Sequence, residues 1–125
     1  MIDTSGSSGG RTGGGRPRKP RRAVLQLNGV AVGDVTIRPR RRSWCFGEFT
    51  PGPGFVEFAP LFACWSRLMR AARPGERLTA SAARELRAAE CAIDALRAEL
   101  LLKDPDECRV IRQLNIDGWL IEWKE

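Results

Sequence analysis

Two dipeptides constrain this chain more than any other feature: Asn28-Gly29 and Asp117-Gly118, each flanked by alternating apolar residues. Asn-Gly and Asp-Gly tolerate the positive φ values of a two-residue turn, so each marks a β-hairpin. The first predicts strands over 23–27 and 30–37, with Leu27 opposite Val30. That pairing puts Ala23, Leu25, Leu27, Val30 and Val32 on one face, and then the pattern skips a beat at Gly33-Asp34. A bulge at Gly33 restores the phase and buries Val35 and Ile37 as well. The second predicts strands over 109–116 and 119–124, pairing Ile116 with Trp119, Leu114 with Ile121, and Arg112 with Trp123. Val110, Leu114, Ile116, Trp119, Ile121 and Trp123 then form an apolar face, with Arg112 over Trp123 as a cation–π contact. The opposite face is mostly polar but carries Ile111 and Leu120 among Gln113, Asn115, Glu122 and Lys124.

Helical periodicity fills the middle of the chain. Residues 43–54 hold Trp44, Phe46 and Phe49 among turn formers, and predict an irregular loop or short third strand whose aromatics anchor on the helices. Phe55, Phe58, Phe62, Trp65, Met69 and Ala72 recur at helical spacing, widened by Leu61 and Leu68. Pro60 belongs in a first turn, which puts the true start near Ala59. A second helix is predicted from Thr79 or Ser81 to Leu102. Its buried face is Ala82, Leu86, Ala89, Ile93, Leu96 and Leu100, with Arg87/Glu90, Asp94/Arg97 and Glu99/Lys103 as outward pairs. The expected fold is therefore α+β: an antiparallel sheet of about four or five strands from two hairpins packed against two helices, in the order ββ-loop-α-α-ββ.

Charge divides the chain differently. Residues 1–22 hold six basic groups and one acid among Gly, Ser and Pro, whereas the formal excess of the whole chain is +6. Such a segment buries too little apolar surface to offset the entropy of ordering, so 1–22 is expected as a disordered basic arm and 23–125 as a single domain. Within the arm, Gly15-Arg16-Pro17-Arg18-Lys19-Pro20 resembles the AT-hook, whose extended Arg-Gly-Arg-Pro core enters the minor groove of A/T-rich DNA. The arginine that motif carries before its glycine is Gly14 here. Arg16, Arg18, Lys19, Arg21 and Arg22 of the arm, with Arg38, Arg40, Arg41 and Arg42 after the first hairpin, are the candidate nucleic-acid contacts.

Reactive equipment is sparse. The chain has no His and no Tyr, which removes the usual neutral-pH general base and the commonest metal ligand. Cysteines at 45, 64, 91 and 108 form no C-x-x-C pair, so no metal or cofactor is expected and the thiols read as reduced small hydrophobes. Cys45, near Arg40–Arg42, is the candidate for a reactive thiolate. Glu48 and Glu57, flanking the Pro/Gly loop, are the carboxylates an enzyme would use. No apolar run approaches the ~20 residues that span a bilayer. A cytoplasmic, non-enzymatic chain is the expectation. It would act as a regulatory or protein-interaction module through Ile111 and Leu120, on an unidentified protein partner or by self-association. Nucleic-acid binding is the alternative.

The segments Trp44-Cys45-Phe46-Gly47-Glu48-Phe49-Thr50-Pro51, 55–62 and Ile116-Asp117-Gly118 together resemble a set of short uncharacterised bacterial proteins. Those proteins combine an N-terminal hairpin, a Trp-x-x-Gly-x-Phe-x-Pro segment, a Phe-rich helix and a terminal Ile-Asp-Gly hairpin. The resemblance spans roughly 25–125. It implies a shared α+β fold and carries no activity with it.

Overall fold

The computed structural model describes residues 20–72, 75, 77–103 and 106–125. Its elements are β1 (Arg21–Leu27), β2 (Val30–Ile37), β3 (Cys45–Pro51), α1 (Ala59–Ala71), α2 (Ala80–Asp94), β4 (Ala98–Leu102), β5 (Glu107–Asp117) and β6 (Leu120–Lys124). A 3-10 turn over Pro53–Phe55 leads into α1. Pro60 lies in the first turn of α1, and the Thr79 hydroxyl caps α2 by accepting from the Ala82 N–H at 3.1 Å.

The six strands do not form an open sheet. They close into an antiparallel barrel in the order β1-β2-β3-β6-β5-β4, which corrects the expected sheet of four or five strands packed on two helices. Each half is a three-stranded meander, and β1–β4 and β3–β6 pairing seals the two halves along both edges. Closure gives every strand a partner on both sides for at least part of its length.

The decisive segment is 95–102, predicted as the end of the second helix. That helix stops at Asp94; the Ala95 N–H still reaches the Cys91 carbonyl at 3.0 Å, and the chain then turns into β4. In β4, Ala98, Leu100 and Leu102 are buried, while Glu99 and Leu101 take the other face. Helix propensity favours these residues by a few tenths of a kcal/mol each. Full burial of one leucine is worth about 1.5–3 kcal/mol, and β4 also satisfies the backbones of β1 and β5, so the tertiary gain wins.

Bulges set which side chains enter the barrel. Asn28 and Gly29 adopt φ of 52° and 81°, and Leu27 pairs with Val30, as the first hairpin predicts. Leu25 pairs with Gly33 but Gln26 with Ala31, so Val32 is the extra residue, and Val32 and Val35 both point inward. Val30, expected on the buried face, is exposed at the turn. An added Cβ on Gly33 would collide with the Phe49 ring and the Thr50 carbonyl, which explains the glycine.

The second hairpin departs further. Asp117 pairs with Leu120 and Ile116 with Ile121, so Gly118-Trp119 is the turn. Between the Arg112–Lys124 and Asn115–Glu122 pairs, Gln113 and Leu114 together oppose Trp123, and Gln113 adopts a φ of 51°. This bulge reverses the phase of β5. Ile111 is therefore inside at 4% exposure and Val110 outside at 70%. Trp119 is exposed as well, and the expected Arg112–Trp123 stacking is replaced by a buried Trp123 with Arg112 exposed.

Phe62 of α1 and Ile93 of α2 join the barrel core. The helices lie against β5 beyond Ile111, where its pairing with β4 has ended, and the buried Ser66 hydroxyl donates to the Ile116 carbonyl at 3.3 Å. Met69, expected in the apolar stripe, is partly exposed. Among the described residues, no helix is long and apolar enough to cross a membrane.

Candidate nucleic-acid interface

Antiparallel closure sends the start of β1, β3 and β5 and the end of β2, β4 and β6 to one end of the barrel. Cationic residues concentrate there. Arg21 and Arg22 are not arm residues but the first residues of β1, opposite Ile37 and Thr36. Lys103 follows β4, Arg109 stands near the start of β5, and Lys124 ends β6.

Arg38 to Arg42 continue the β2–β3 hairpin instead of forming a loose connector. The Arg38 N–H donates to the Phe46 carbonyl at 3.0 Å, and Arg41 and Trp44 exchange two backbone bonds of 3.0 Å each. Arg42-Ser43 is thereby a two-residue tip, with Arg42 at a φ of 55°. The Arg41 guanidinium lies 5.5 Å from the Phe46 ring centroid, and the Lys124 ammonium lies 4.7 Å from that of Trp44. Two aromatics of the hairpin thus carry cations on their outer faces.

Carboxylates neutralise part of this end. Arg38 forks onto Glu48, with its Nη2 at 2.7 Å from Oε1 and its Nε at 3.1 Å from Oε2. Glu125 accepts from Arg40 at 2.8 Å and from Arg109 at 3.0 Å, while Arg109 also reaches Glu107 at 2.6 Å. The Arg109 hydrogen bond holds the Glu107 carboxyl below its usual range, and Glu107 in turn keeps Arg109 more firmly protonated. Arg22, Arg41, Arg42, Lys103 and Lys124 have no carboxylate partner among the described residues. One guanidinium nitrogen of Arg21 is buried with no hydrogen-bond partner among them.

Trp44 also belongs to a cleft of about 540 Å³ between the helix pair and the β5 bulge. Trp65 and Met69 of α1, Arg87, Glu90, Cys91 and Asp94 of α2, and Gln113 and Asn115 of β5 line it. Its volume falls in the ordinary range for small-ligand sites, about 300–1,000 Å³.

Other predicted sites fare differently. Arg16, Arg18 and Lys19 lie outside the described residues. Ile111 is inside the barrel and cannot form an outer surface; Leu120 is half-buried beside Trp65 and Met69. Cys45, the candidate reactive thiolate, is buried at 5% exposure at the start of β3 and not in a loop. Glu48 is bound by Arg38, while Glu57 is exposed on the turn before α1. Phe49 is an interior anchor, edge-on to Phe55 at 5.0 Å, whereas Trp44 and Phe46 lie on the outer hairpin. Lys103, Arg109 and Lys124 carry no sequence signal for this site, since only closure brings the ends of β4, β5 and β6 beside the Arg38–Arg42 hairpin. Glu90 and Asp94, expected as halves of outward ion pairs, line the cleft.

No protein-family model, curated protein or solved structure matches the chain.

Proposed function

We propose that this protein is a non-enzymatic binding module that engages the phosphate backbone of nucleic acid with the basic end of its barrel. The observation that carries the reading is the convergence of Arg22, Arg41, Arg42, Lys103 and Lys124, without carboxylate partners among the described residues, at the end where the basic N-terminal segment joins β1. Cations spread over several strand ends can contact successive phosphates, and released counterions then drive binding. Trp44 and Phe46 add planar surfaces beside them, the pairing of charge and aromatic that suits single strands. The protein-interaction module, the first expectation from sequence, loses one of its two named surface residues because Ile111 is interior, while Leu120 stays half-buried.

The test is fluorescence anisotropy of labelled oligonucleotides with the full chain across a salt series. Affinity should fall steeply as salt rises, and Arg42→Glu with Lys124→Glu should lower it by about tenfold or more at low salt. Absence of binding, or binding indifferent to salt, would overturn the proposal.

A further inference from the structure

From the cleft between α1, α2 and the β5 bulge we infer a subsite for one unstacked guanine of a single strand, an inference that rests on the backbone-binding reading above. The cleft adjoins the basic hairpin through Trp44, which lines it and also carries Lys124 on its ring. A strand whose phosphates lie on the hairpin therefore passes the mouth of a cavity of about 540 Å³. That volume is ample for a base, and Trp44 and Trp65 supply the aromatic walls on which a base stacks.

The polar lining selects among bases. Glu90 and Asp94 stand four residues apart on α2 and both reach the cleft. A carboxylate only accepts hydrogen bonds, through two adjacent oxygens. Guanine alone among the common bases presents two neighbouring donors, N1–H and the N2 amino group, at that spacing. Adenine and cytosine offer one donor beside an acceptor, and uracil or thymine one donor between two acceptors, so each would set a lone pair against a carboxylate oxygen. Arg87, also in the lining, supplies donors suited to guanine O6 and N7. Gln113 is placed in the cleft by the bulge that gives it a positive φ, the kind of irregularity that re-aims a side chain.

The experiment uses the full chain and labelled thymine oligomers of about twelve nucleotides, each carrying one central guanine, inosine or adenine. DNA and RNA versions are run in parallel, and GMP is titrated as a competitor. The guanine oligomer should bind about tenfold more tightly than the all-thymine strand. Inosine, which lacks the N2 amino group, should lose most of that gain. Glu90→Gln combined with Asp94→Asn should abolish the preference without weakening all-thymine binding. GMP should bind more weakly than the guanine oligomer. Equal affinity for all bases, a preference that survives inosine or the double variant, or GMP binding as tightly as the oligomer would overturn the subsite while leaving backbone binding intact. Failure of every oligomer to bind would overturn both readings.

Discussion

Asn28 and Arg97 hold each other by two hydrogen bonds: the Asn28 N–H donates to the Arg97 carbonyl at 2.9 Å, and the Arg97 N–H donates to the Asn28 side-chain oxygen at 2.8 Å. One residue is in the first hairpin turn and the other immediately precedes β4. The contact thus fastens the exit of α2 to the strand that β4 must join. Asn28→Ala removes the side-chain acceptor and forces alanine into a left-handed conformation, and should cost about 1–2 kcal/mol in urea unfolding. Asn28→Gly keeps the backbone freedom and should cost only about 0.5–1 kcal/mol, because water can reach the freed N–H. Equal losses for the two variants would show that the backbone conformation is not under strain.

Gly33→Ala should destabilise the barrel by about 3 kcal/mol, because the new methyl meets the Phe49 ring and the Thr50 carbonyl. Combining it with Phe49→Leu should cost less than the sum of the two single losses, since removing the ring relieves one of the collisions. Chemical denaturation of the four proteins in the cycle measures this directly.

Glu125 restrains two arginines of the basic end, Arg40 and Arg109. Glu125→Gln should therefore strengthen oligonucleotide binding by about threefold at low salt, and the gain should shrink as salt screens it. Titrations at two ionic strengths check both statements. An unchanged affinity would place the phosphate path elsewhere.

The thiols should separate by reactivity. Cys91 is exposed and Cys45 buried, so a thiol reagent should modify Cys91 early and Cys45 only on unfolding. Cys108 is exposed too, but its thiol donates to Glu99 at 3.4 Å, and this bond raises its pKa above the usual value. The thiolate is the reacting form, so Cys108 should lag Cys91 near neutral pH and catch up as pH rises. Glu99→Gln removes the carboxylate charge and should speed Cys108 at neutral pH, as mass spectrometry of partly alkylated protein would report.

Local chemistry made the turn and the pairing of the first hairpin legible, though not the exposure of Val30. Asn28-Gly29 supplies the positive φ values, and the missed beat at Gly33 announces a bulge that the structure contains. Pro60 and Thr79 likewise mark where α1 and α2 begin. In the second hairpin the strands lie where the alternation puts them, but the turn is Gly118-Trp119 and β5 turns its other face inward before the bulge. A bulge at Gln113-Leu114 has no glycine to signal it. Of the candidate interface, the Arg38–Arg42 cluster was visible as a run of like residues. Lys103, Arg109 and Lys124 stand far apart in sequence and acquire a common location only through strand pairing.

The sequence alone determined where the chain turns, which residues seek a dry interior, and which chemistry is denied to it for want of histidine. Tertiary structure decided that 98–102 is a strand and that the sheet closes into a barrel. In isolation those leucines lean slightly towards a helix. Only β1 and β5, with open backbone edges on either side and a core for alternate side chains, make the extended form the lower in free energy. Closure in turn placed the basic strand ends, the two hairpin aromatics and the acid-lined cleft beside one another.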